Sequence, residues 1–376
     1  MRVLHVLDSF SFGGAENLLV ELARHAPPDL ELAVASLGPA GRGKDAMLER
    51  LREVGLSPWH LDVRRLADPV GVLRLARTLR ASSADVVHAH LGYSATLVPL
   101  AARLAGTPCV ATLHLVPQLG SPADRVKERL SVLAPGHLGR LVLVSQAAYD
   151  GYAEHYGPAR PTWRHIPNGV DVDRFGLERR PLPPELGVPD GAPVWAAVAA
   201  LRPPKGHLLL LDAWARLLDA QPDAHLVVVG DGEARADLEA RVAELGLGHR
   251  VHLLGRREDV PDLLAGVDGV VSASTTEALP TALIEAAACG LPVVATDAGG
   301  TREVVLDGVT GRLVPVGDGA ALTAALTDLM TDPAARAAYG TAARQRAEQV
   351  FSMQAWTRAL HDLYAEVTEP TTEESR

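Results

Sequence analysis

The sequence predicts an α/β protein with two doubly wound domains, and three observations support this. Short β-branched runs alternate with helical stretches along the chain, which is the pattern of βαβ units. Glycine and proline mark the ends of many of these runs. The 376 residues, 47% of them hydrophobic, are too many for one typical core and suit two.

Segment 267–310 shows the pattern most clearly. Gly269–Ser274 has the length and β-branched character of a buried strand, and Pro292–Thr296 is predicted as the next strand. Between them, Pro280 can open a helix, because its missing N–H would have no partner at that position anyway. Gly290 can close the helix in the left-handed conformation. The segment is therefore predicted as a βαβ unit of a parallel sheet.

Two glutamates mark this unit. Glu277 follows the first strand, and Glu285 lies in the second turn of the predicted helix. Ligands of open α/β sheets bind at the carboxyl edge of the strands, where helix N-termini offer free amides and a positive dipole. The spacing alone leaves two interpretations open: a pair of ligand-binding acids, or two solvated glutamates at helix ends.

The remaining elements fill two domains. Strands of the first are predicted near residues 3–7, 31–37, 85–89, 108–113, 141–144 and 162–166. Strands of the second are predicted at 194–200, 225–229, 250–254, 269–274 and 292–296. The stretch Arg179–Gly191 is rich in proline and glycine and is predicted as the linker. We therefore place the domains at 1–180 and 181–350, followed by an amphipathic helix at 351–367 and a polar, disordered tail at 368–376.

Charge is unevenly distributed along the chain. Residues 1–182 carry 21 Lys and Arg against 18 Asp and Glu, whereas residues 183–376 carry 15 against 28. The acidic second half argues against nucleic-acid binding. The chain has only three lysines, Lys44, Lys127 and Lys205, among many arginines. A lysine in so arginine-rich a chain suggests a chemical role, which favours Lys205, the single lysine of the second half.

Targeting and redox signals predict a cytoplasmic protein. Cys109 and Cys289 are too few and too far apart for a disulfide framework or a metal site. The N-terminal apolar run is interrupted by His5 and Asp8 and is too short for a signal-peptide core. No apolar run reaches the length of a spanning helix. We expect a soluble protein or one that is peripheral at the inner face of the membrane.

Polar residues also follow the strands of the first domain. Gly13 and Gly14 form a loop whose amides can approach a phosphate or sugar, although a tight turn without ligand is the alternative. His88 and His90 share one face of a strand, which suits either a metal or a hydrogen-bonded pair. Since no third ligand is evident nearby, we predict no metal site. His114 ends the next strand and is expected to contact a ligand.

Taken together, these features resemble the retaining glycosyltransferase family 4, of the GT-B architecture, over nearly the whole chain. The order and spacing of the motifs across two domains carry the resemblance. They are Gly13-Gly-Ala-Glu16, His114, Ile166-Pro-Asn-Gly-Val-Asp171, Lys205-Gly206, Gly230-Asp-Gly232, Glu277 with Glu285, Cys289–Thr296, Gly299–Glu303, Asp307-Gly308 and Thr310-Gly311.

The resemblance implies two facing Rossmann-like domains with a cleft between them. The first would hold the acceptor, the second would hold a nucleotide-diphosphate sugar, and the last helix would pack back on the first domain. The implied catalytic residues are Lys205, Glu277, His114 and Arg202. The implied donor-binding residues are Glu285, Gly14, Ala278, Leu279 and Gly230, and the acceptor-binding residues are Gly13, Glu16, His90 and Asn168.

The resemblance also implies how these residues act. Glu277 would bind hydroxyls of the donor sugar and Glu285 the ribose diol, because a carboxylate can accept two hydroxyl hydrogen bonds at once. Lys205 would stabilise charge on the leaving diphosphate, helped by the amides of Ala278 and Leu279. The donor phosphate would take the acceptor proton during same-face attack. Neither a metal nor a cofactor besides the nucleotide sugar is expected.

One position departs from the family pattern. The family usually has an arginine five residues before the lysine, and Ala200 stands there in this chain. Arg202, three residues before Lys205, could reach the same phosphates, since its long side chain ends in a guanidinium fork. We expect Arg202 to compensate, and a weakened or inactive site is the alternative.

Other functions remain open at this stage. A dehydrogenase is disfavoured by the missing GxGxxG motif. A nucleotide-sugar epimerase of the same architecture, or a degenerate transferase that serves as a partner subunit, would fit the same motifs. The basic amphipathic stretch Arg125–Leu133 could dock on anionic lipid beside a lipid-linked acceptor, or be an ordinary solvated helix. The sequence separates neither UDP from GDP nor a glycan from a lipid or small-molecule acceptor.

Overall fold

The structure, a computed structural model, describes residues 1–369 except for 12, 42–43, 64–68 and 177. It divides into two compact units. Unit 1 consists of Met1–Gly169 and Met353–Arg376, and unit 2 consists of Val170–Ser352. The division thus lies before Arg179–Gly191, where the sequence predicted the linker. Most of the predicted polar tail lies outside the described residues.

Unit 1 contains a parallel sheet of seven strands in the order β3-β2-β1-β4-β5-β6-β7, counted over the described residues. The strands are β1 (Arg2–Leu7), β2 (Glu31–Ser36), β3 (Trp59–His60), β4 (Val86–His90), β5 (Cys109–Leu113), β6 (Arg140–Leu143) and β7 (Trp163–His165). The helices are α1 (Gly14–His25), α2 (Leu48–Glu53), α3 (Pro69–Ala81), α4 (Gly92–Ala105), α5 (Pro122–Leu138), α6 (Gln146–Tyr156) and, at the end of the chain, α14 (Met353–Thr368). The strand order reverses between β1 and β4, which is where such sheets bind ligands.

Helices cover both faces of this sheet. Alternate residues of β1 point to opposite faces, so that Leu4 and Val6 join a core with α3 and α4, while Val3 and Leu7 join a core with α1 and α14. Burial on both faces explains why the strands are almost continuously apolar. The last helix contributes Tyr364, which is completely buried.

Unit 2 contains a second parallel sheet, in which the described part of the chain forms six strands in the order β10-β9-β8-β11-β12-β13. The strands are β8 (Val194–Val198), β9 (His225–Val229), β10 (Val251–Gly255), β11 (Gly269–Ser272), β12 (Val293–Thr296) and β13 (Gly311–Val314). The helices are α7 (His207–Leu217), α8 (Arg235–Glu244), α9 (Val260–Ala265), α10 (Thr281–Ala288), α11 (Thr301–Val304), α12 (Gly319–Thr331) and α13 (Pro333–Val350). The order reverses between β8 and β11, so the doubly wound prediction is confirmed for both units.

Several local predictions are also confirmed. Pro280 is the N-cap of α10, and Gly290 follows the helix with a φ of 67°. Two strands, however, were missing from the prediction. β3 has two residues, and β13 is an edge strand with two partly exposed residues, so neither shows the long β-branched run that marks a buried strand. None of the described helices is long and apolar enough to span a membrane.

Candidate active site

A lysine and a glutamate are paired at the carboxyl edge of the unit 2 sheet. Lys205 lies in the loop after β8, and Glu277 lies in the loop after β11, so the two residues flank the reversal of strand order. The Lys205 Nζ donates a hydrogen bond to Glu277 Oε1 at 2.7 Å. The Ser274 hydroxyl donates to the same oxygen at 2.7 Å. The structure therefore brings together two of the residues predicted to be catalytic.

Glycines allow these loops to approach so closely. Gly206 has a φ of 67°, and a Cβ at this position would lie 1.9 Å from the carbonyl oxygen of Ala273. Gly299 has a φ of 52°, and a Cβ there would lie 2.1 Å from the carbonyl oxygen of Glu277. Both positions combine the left-handed region with a backbone contact, so only glycine fits without moving the loops. The two glycines thus fix the loops that hold Lys205 and Glu277.

The pair retains capacity for a ligand. The side chain of Lys205 is 28% exposed, and its ammonium has three donors, one of which contacts Glu277. Glu277 is 10% exposed, and within the described residues its Oε2 accepts no hydrogen bond. A positively charged hydrogen-bond donor and a free carboxylate oxygen therefore lie side by side at the sheet edge.

Other predicted donor-binding residues surround the pair. Ala278 and Leu279 lie directly after Glu277, ahead of the N-terminus of α10, and half-buried Glu285 lies within that helix. Gly230 follows β9, and a Cβ there would lie 1.9 Å from the carbonyl oxygen of Ala199. Arg202 is exposed on the Lys205 loop and makes no ion pair with any described residue.

In unit 1, three of the residues predicted to bind the acceptor have buried side chains. Glu16 is 4% exposed and folds against Gly13, where a Cβ would lie 2.4 Å from its Oε2. Burial raises the pKa of Glu16. Asn168 is 6% exposed, with its Oδ1 unpaired, and His90 is 2% exposed. Gly14 lies at the exposed start of α1. A direct side-chain contact to an acceptor therefore suits neither Glu16 nor His90 in this structure.

His90 belongs to a cluster of buried histidines. His5 Nδ1 lies 2.9 Å from His90 Nε2, and His90 Nδ1 lies 3.3 Å from His114 Nε2. His88 stacks on His90 with ring centroids 4.1 Å apart, and its two nitrogens contact Tyr364 Oη and Thr112 Oγ1. Nitrogens of His5, His88 and His90 lie within 4.8 Å of one another, but most of them serve these hydrogen bonds.

His5 was predicted only as an interruption of an apolar run, and its place in the cluster was missed. His5 and His90 are 85 positions apart in the sequence. They are neighbours because β1 and β4 pair in parallel, with His5 opposite His88. The sequence does contain a signal for this position, because His5 is a polar residue inside a buried strand.

A cavity of about 520 Å³ lies at the carboxyl edge of the unit 1 sheet. Its polar lining includes Asp8, Tyr93, His114 and Lys127. The Asp8 carboxylate accepts hydrogen bonds from the amides of Tyr93 and Ser94, at the N-terminus of α4, and from the Ser94 hydroxyl. Burial raises the pKa of Asp8, while these three bonds lower it. Asp8 was missed, although an acid directly after a buried strand is a recognisable signal.

A second, apolar cavity of about 470 Å³ lies between α4 and α5. It is lined by Leu97, Leu100, Leu130 and Leu133, and Thr96 lines both this cavity and the first. Leu100 is 42% exposed and Leu130 is 41% exposed, so the cavity opens to solvent. Unit 1 thus has two adjacent cavities, the first with charged side chains in its lining and the second lined mostly by apolar side chains.

Two doubly wound parallel sheets in one chain are the architecture of the GT-B glycosyltransferases. The chain belongs to glycosyltransferase family 4. The family description "Glycosyltransferase Family 4" matches residues 12–174, and "Glycosyl transferases group 1" matches residues 178–346.

Individual relatives agree with this assignment. The chain is 34% identical to a GDP-mannose-dependent monoacylated alpha-(1-6)-phosphatidylinositol monomannoside mannosyltransferase of Corynebacterium glutamicum, over 56% of this chain and 58% of that protein. It is 30% identical to a D-inositol 3-phosphate glycosyltransferase of Streptomyces avermitilis, over 96% of this chain and 84% of that one. The crystal structure of Anabaena HepE in complex with UDP-glucose superposes with a TM-score of 0.81 at 25% identity, covering 97% of this chain and 100% of that one.

Proposed function

We propose that the protein transfers a hexosyl group, with retention of anomeric configuration, from a UDP- or GDP-linked sugar to an acceptor hydroxyl. The observation that carries this proposal is the Lys205–Glu277 pair at the reversal of strand order in unit 2. Neither a metal ion nor a further cofactor takes part in the proposed reaction.

The pair supplies two different interactions with the donor. The ammonium of Lys205 binds the diphosphate, where negative charge grows as the sugar leaves, and so stabilises the transition state more than the ground state. Glu277 Oε2 accepts hydrogen bonds from sugar hydroxyls. Because Oε1 is held by Lys205 and Ser274, the carboxylate is oriented before the donor arrives. Attack and departure occur on the same face of the sugar, and the departing phosphate accepts the proton of the acceptor hydroxyl.

The remaining predicted residues support the donor. Glu285 binds the ribose diol, and the amides of Ala278 and Leu279 contact the diphosphate. Arg202 replaces the arginine that the family usually has where this chain has Ala200. Its exposure and its lack of an ion-pair partner among the described residues leave its guanidinium available for phosphate.

Transferase activity is tested by measuring nucleotide release from a panel of UDP- and GDP-sugars, with and without a crude lipid and polysaccharide extract. Lys205→Ala should lower the rate about 100-fold, since loss of one preorganised donor costs about 3 kcal/mol. Lys44→Ala, at an exposed position of unit 1, is the charge-matched control. Donor binding without release across the panel would contradict the proposal and favour a degenerate partner subunit, whereas release of a changed nucleotide sugar would indicate an epimerase.

For the acceptor, the observations favour a lipid-linked molecule held at a membrane surface. The apolar cavity between α4 and α5 suits a hydrocarbon chain and adjoins the cavity that His114 lines. The exposed side chains of Arg125, Lys127 and Arg129 on α5 suit anionic headgroups. One of the relatives is named for a phosphatidylinositol mannoside acceptor, which agrees with this choice.

Co-sedimentation with anionic vesicles tests this surface. The double variant Leu100→Ser and Leu130→Ser should lose binding, because both side chains line the opening of the apolar cavity. Leu208→Ser is a matched control, since Leu208 is 47% exposed on a helix of unit 2. Absence of wild-type binding at low salt would contradict membrane contact and favour a glycan or a small-molecule acceptor.

A further inference from the structure

A buried serine lies beside the Lys205–Glu277 pair of unit 2. Ser274, two residues after the end of β11, is 1% exposed, and its hydroxyl donates a hydrogen bond to Glu277 Oε1 at 2.7 Å. The Lys205 Nζ donates to the same oxygen at 2.7 Å. Oε1 therefore receives one hydrogen bond from a short, buried side chain and another from a long side chain that is 28% exposed.

The second carboxylate oxygen of Glu277 has a different environment. Oε2 accepts no hydrogen bond from any residue that the structure describes, and it keeps accessible surface although the side chain is only 10% exposed. Each carboxylate oxygen has two lone-pair sites, and both sites of Oε1 are used. A sugar that reaches Glu277 therefore meets one available oxygen, which is held in one orientation.

The direction of the Ser274 hydroxyl follows from hydrogen-bond chemistry. A carboxylate can only accept hydrogen bonds, so Ser274 uses its single O–H as the donor to Glu277. Ser272 Oγ lies 3.2 Å from Ser274 Oγ and must therefore be the donor in that contact. The Ser274 hydroxyl is thus committed to the carboxylate and has no proton left for a ligand.

The backbone of Ser274 is held independently of its hydroxyl. Thr296 Oγ1 donates a hydrogen bond to the Ser274 carbonyl at 2.5 Å. The amide of Thr275 donates to the carbonyl of Pro204 at 2.8 Å, and Thr275 Oγ1 contacts the same carbonyl at 3.2 Å. Removal of the Ser274 hydroxyl therefore leaves the loops after β8 and β11 connected and changes mainly the hydrogen bonding of the carboxylate.

Lys205 cannot take over this role. Its ammonium is carried by a flexible four-carbon stem and has three rotatable donors, and the proposed function requires it to bind the diphosphate as well. When the ammonium turns towards the diphosphate, Ser274 is the remaining described residue that holds Oε1. The orientation of the carboxylate during the reaction therefore depends on the serine.

We propose that Ser274 is a positioning residue that reserves Oε1 of Glu277, confines the donor sugar to Oε2 and thereby sets how strictly epimeric sugars are distinguished. This inference rests on the proposed transferase function. Epimers present the same hydroxyl in different directions. One fixed oxygen accepts a hydroxyl well from only one of these directions, whereas a carboxylate that can rotate follows the hydroxyl of either epimer.

Calorimetry with the full chain tests this role. The ligands are UDP-glucose, UDP-galactose and UDP, or GDP-mannose, GDP-glucose and GDP if GDP binds more tightly than UDP. The wild type should prefer one of the two epimeric sugars. Ser274→Ala should bind the preferred sugar about tenfold more weakly, which is the scale of one hydrogen bond to a charged group. The affinities for the other epimer and for the free nucleoside diphosphate should change by less than about twofold.

The matched control is Thr323→Val, which removes another hydroxyl of unit 2. Thr323 Oγ1 contacts the carbonyl oxygens of Ala213 and Gly319 at 3.1 and 2.9 Å, so the variant should leave all three affinities unchanged. Urea unfolding verifies that both variants are folded. Three results would overturn the proposal: equal weakening of both sugars and the nucleoside diphosphate in Ser274→Ala, unchanged affinities in that variant, or a wild type that binds the two epimers equally well.

The rate of nucleotide release is the second readout. In Ser274→Ala, kcat/KM for the preferred donor should fall about tenfold, and its ratio to the value for the epimer should approach one. An unaltered ratio would overturn the role in specificity. If the affinities change as expected but no nucleotide sugar supports transfer, the proposed function fails while the role of Ser274 in sugar binding stands.

Discussion

The buried histidines predict how stability depends on pH, and His5 shows this most clearly. Burial lowers its pKa to about 3, against 6.5 for the ordinary group. The unfolded chain therefore binds a proton as the pH falls below 6.5, whereas the folded chain does not. This favours unfolding, and the loss of stability continues until the pH reaches the folded value.

The magnitude follows from the two values. At pH 5 the pH is about 1.5 units below the unfolded pKa, so proton uptake by the unfolded chain between pH 7 and pH 5 lowers the free energy of unfolding by about 2 kcal/mol from His5 alone. His5→Asn removes the titration and keeps an amide near the position of Nδ1. The free energy of unfolding of the variant should therefore fall by about 2 kcal/mol less than that of the wild type over this range.

Urea unfolding followed by far-UV circular dichroism at pH 7 and pH 5 measures this difference. His155→Asn, at an exposed position of α6, is the control for the substitution itself. Equal losses for the wild type and His5→Asn would show instead that His5 takes up its proton equally well in the folded chain.

Three further predictions concern the site and its support. Gly206→Ala should lower the free energy of unfolding by more than about 2 kcal/mol and reduce transfer, since a Cβ would lie 1.9 Å from the carbonyl oxygen of Ala273. An unchanged midpoint of urea unfolding would contradict this. Arg202→Ala should weaken donor binding, measured by calorimetry, about tenfold, because a hydrogen bond to a charged group is worth about 1.5 kcal/mol. Arg241→Ala on α8 is the control. Unchanged affinity would show that Arg202 does not compensate for Ala200. Tyr364→Phe should lower the free energy of unfolding by about 1–3 kcal/mol, measured by thermal or urea unfolding, because it leaves the buried His88 Nδ1 without its partner at 2.6 Å. A stability equal to that of the wild type would refute this role of Tyr364.

The sequence was most informative where local chemistry decides structure. Pro280 and Gly290 delimit α10 because one lacks an N–H and the other tolerates the left-handed region, and both properties belong to single residues. Strands buried on both faces were recognised from their continuous apolar character. The two missed strands, β3 and β13, are short or partly exposed, so packing rather than composition makes them strands.

Contacts between distant segments were less predictable. His5, His90 and His114 come from three strands whose neighbours are set by sheet order, and periodicity does not encode that order. The burial of Glu16 against Gly13 likewise depends on how the loop after β1 folds. The pairing of Lys205 with Glu277 could be anticipated only as two residues at one sheet edge, and the structure adds their direct hydrogen bond.

The anomeric configuration of the product formed from an α-linked nucleotide sugar tests directly whether transfer proceeds with retention. The product is isolated after reaction with the acceptor fraction, and its anomeric proton coupling is read by NMR. Same-face attack, with Lys205 holding the departing diphosphate, predicts an α-linked product whose formation is about 100-fold slower in Lys205→Ala. A β-linked product would exclude same-face attack, and equal rates for the wild type and the variant would exclude the role of Lys205.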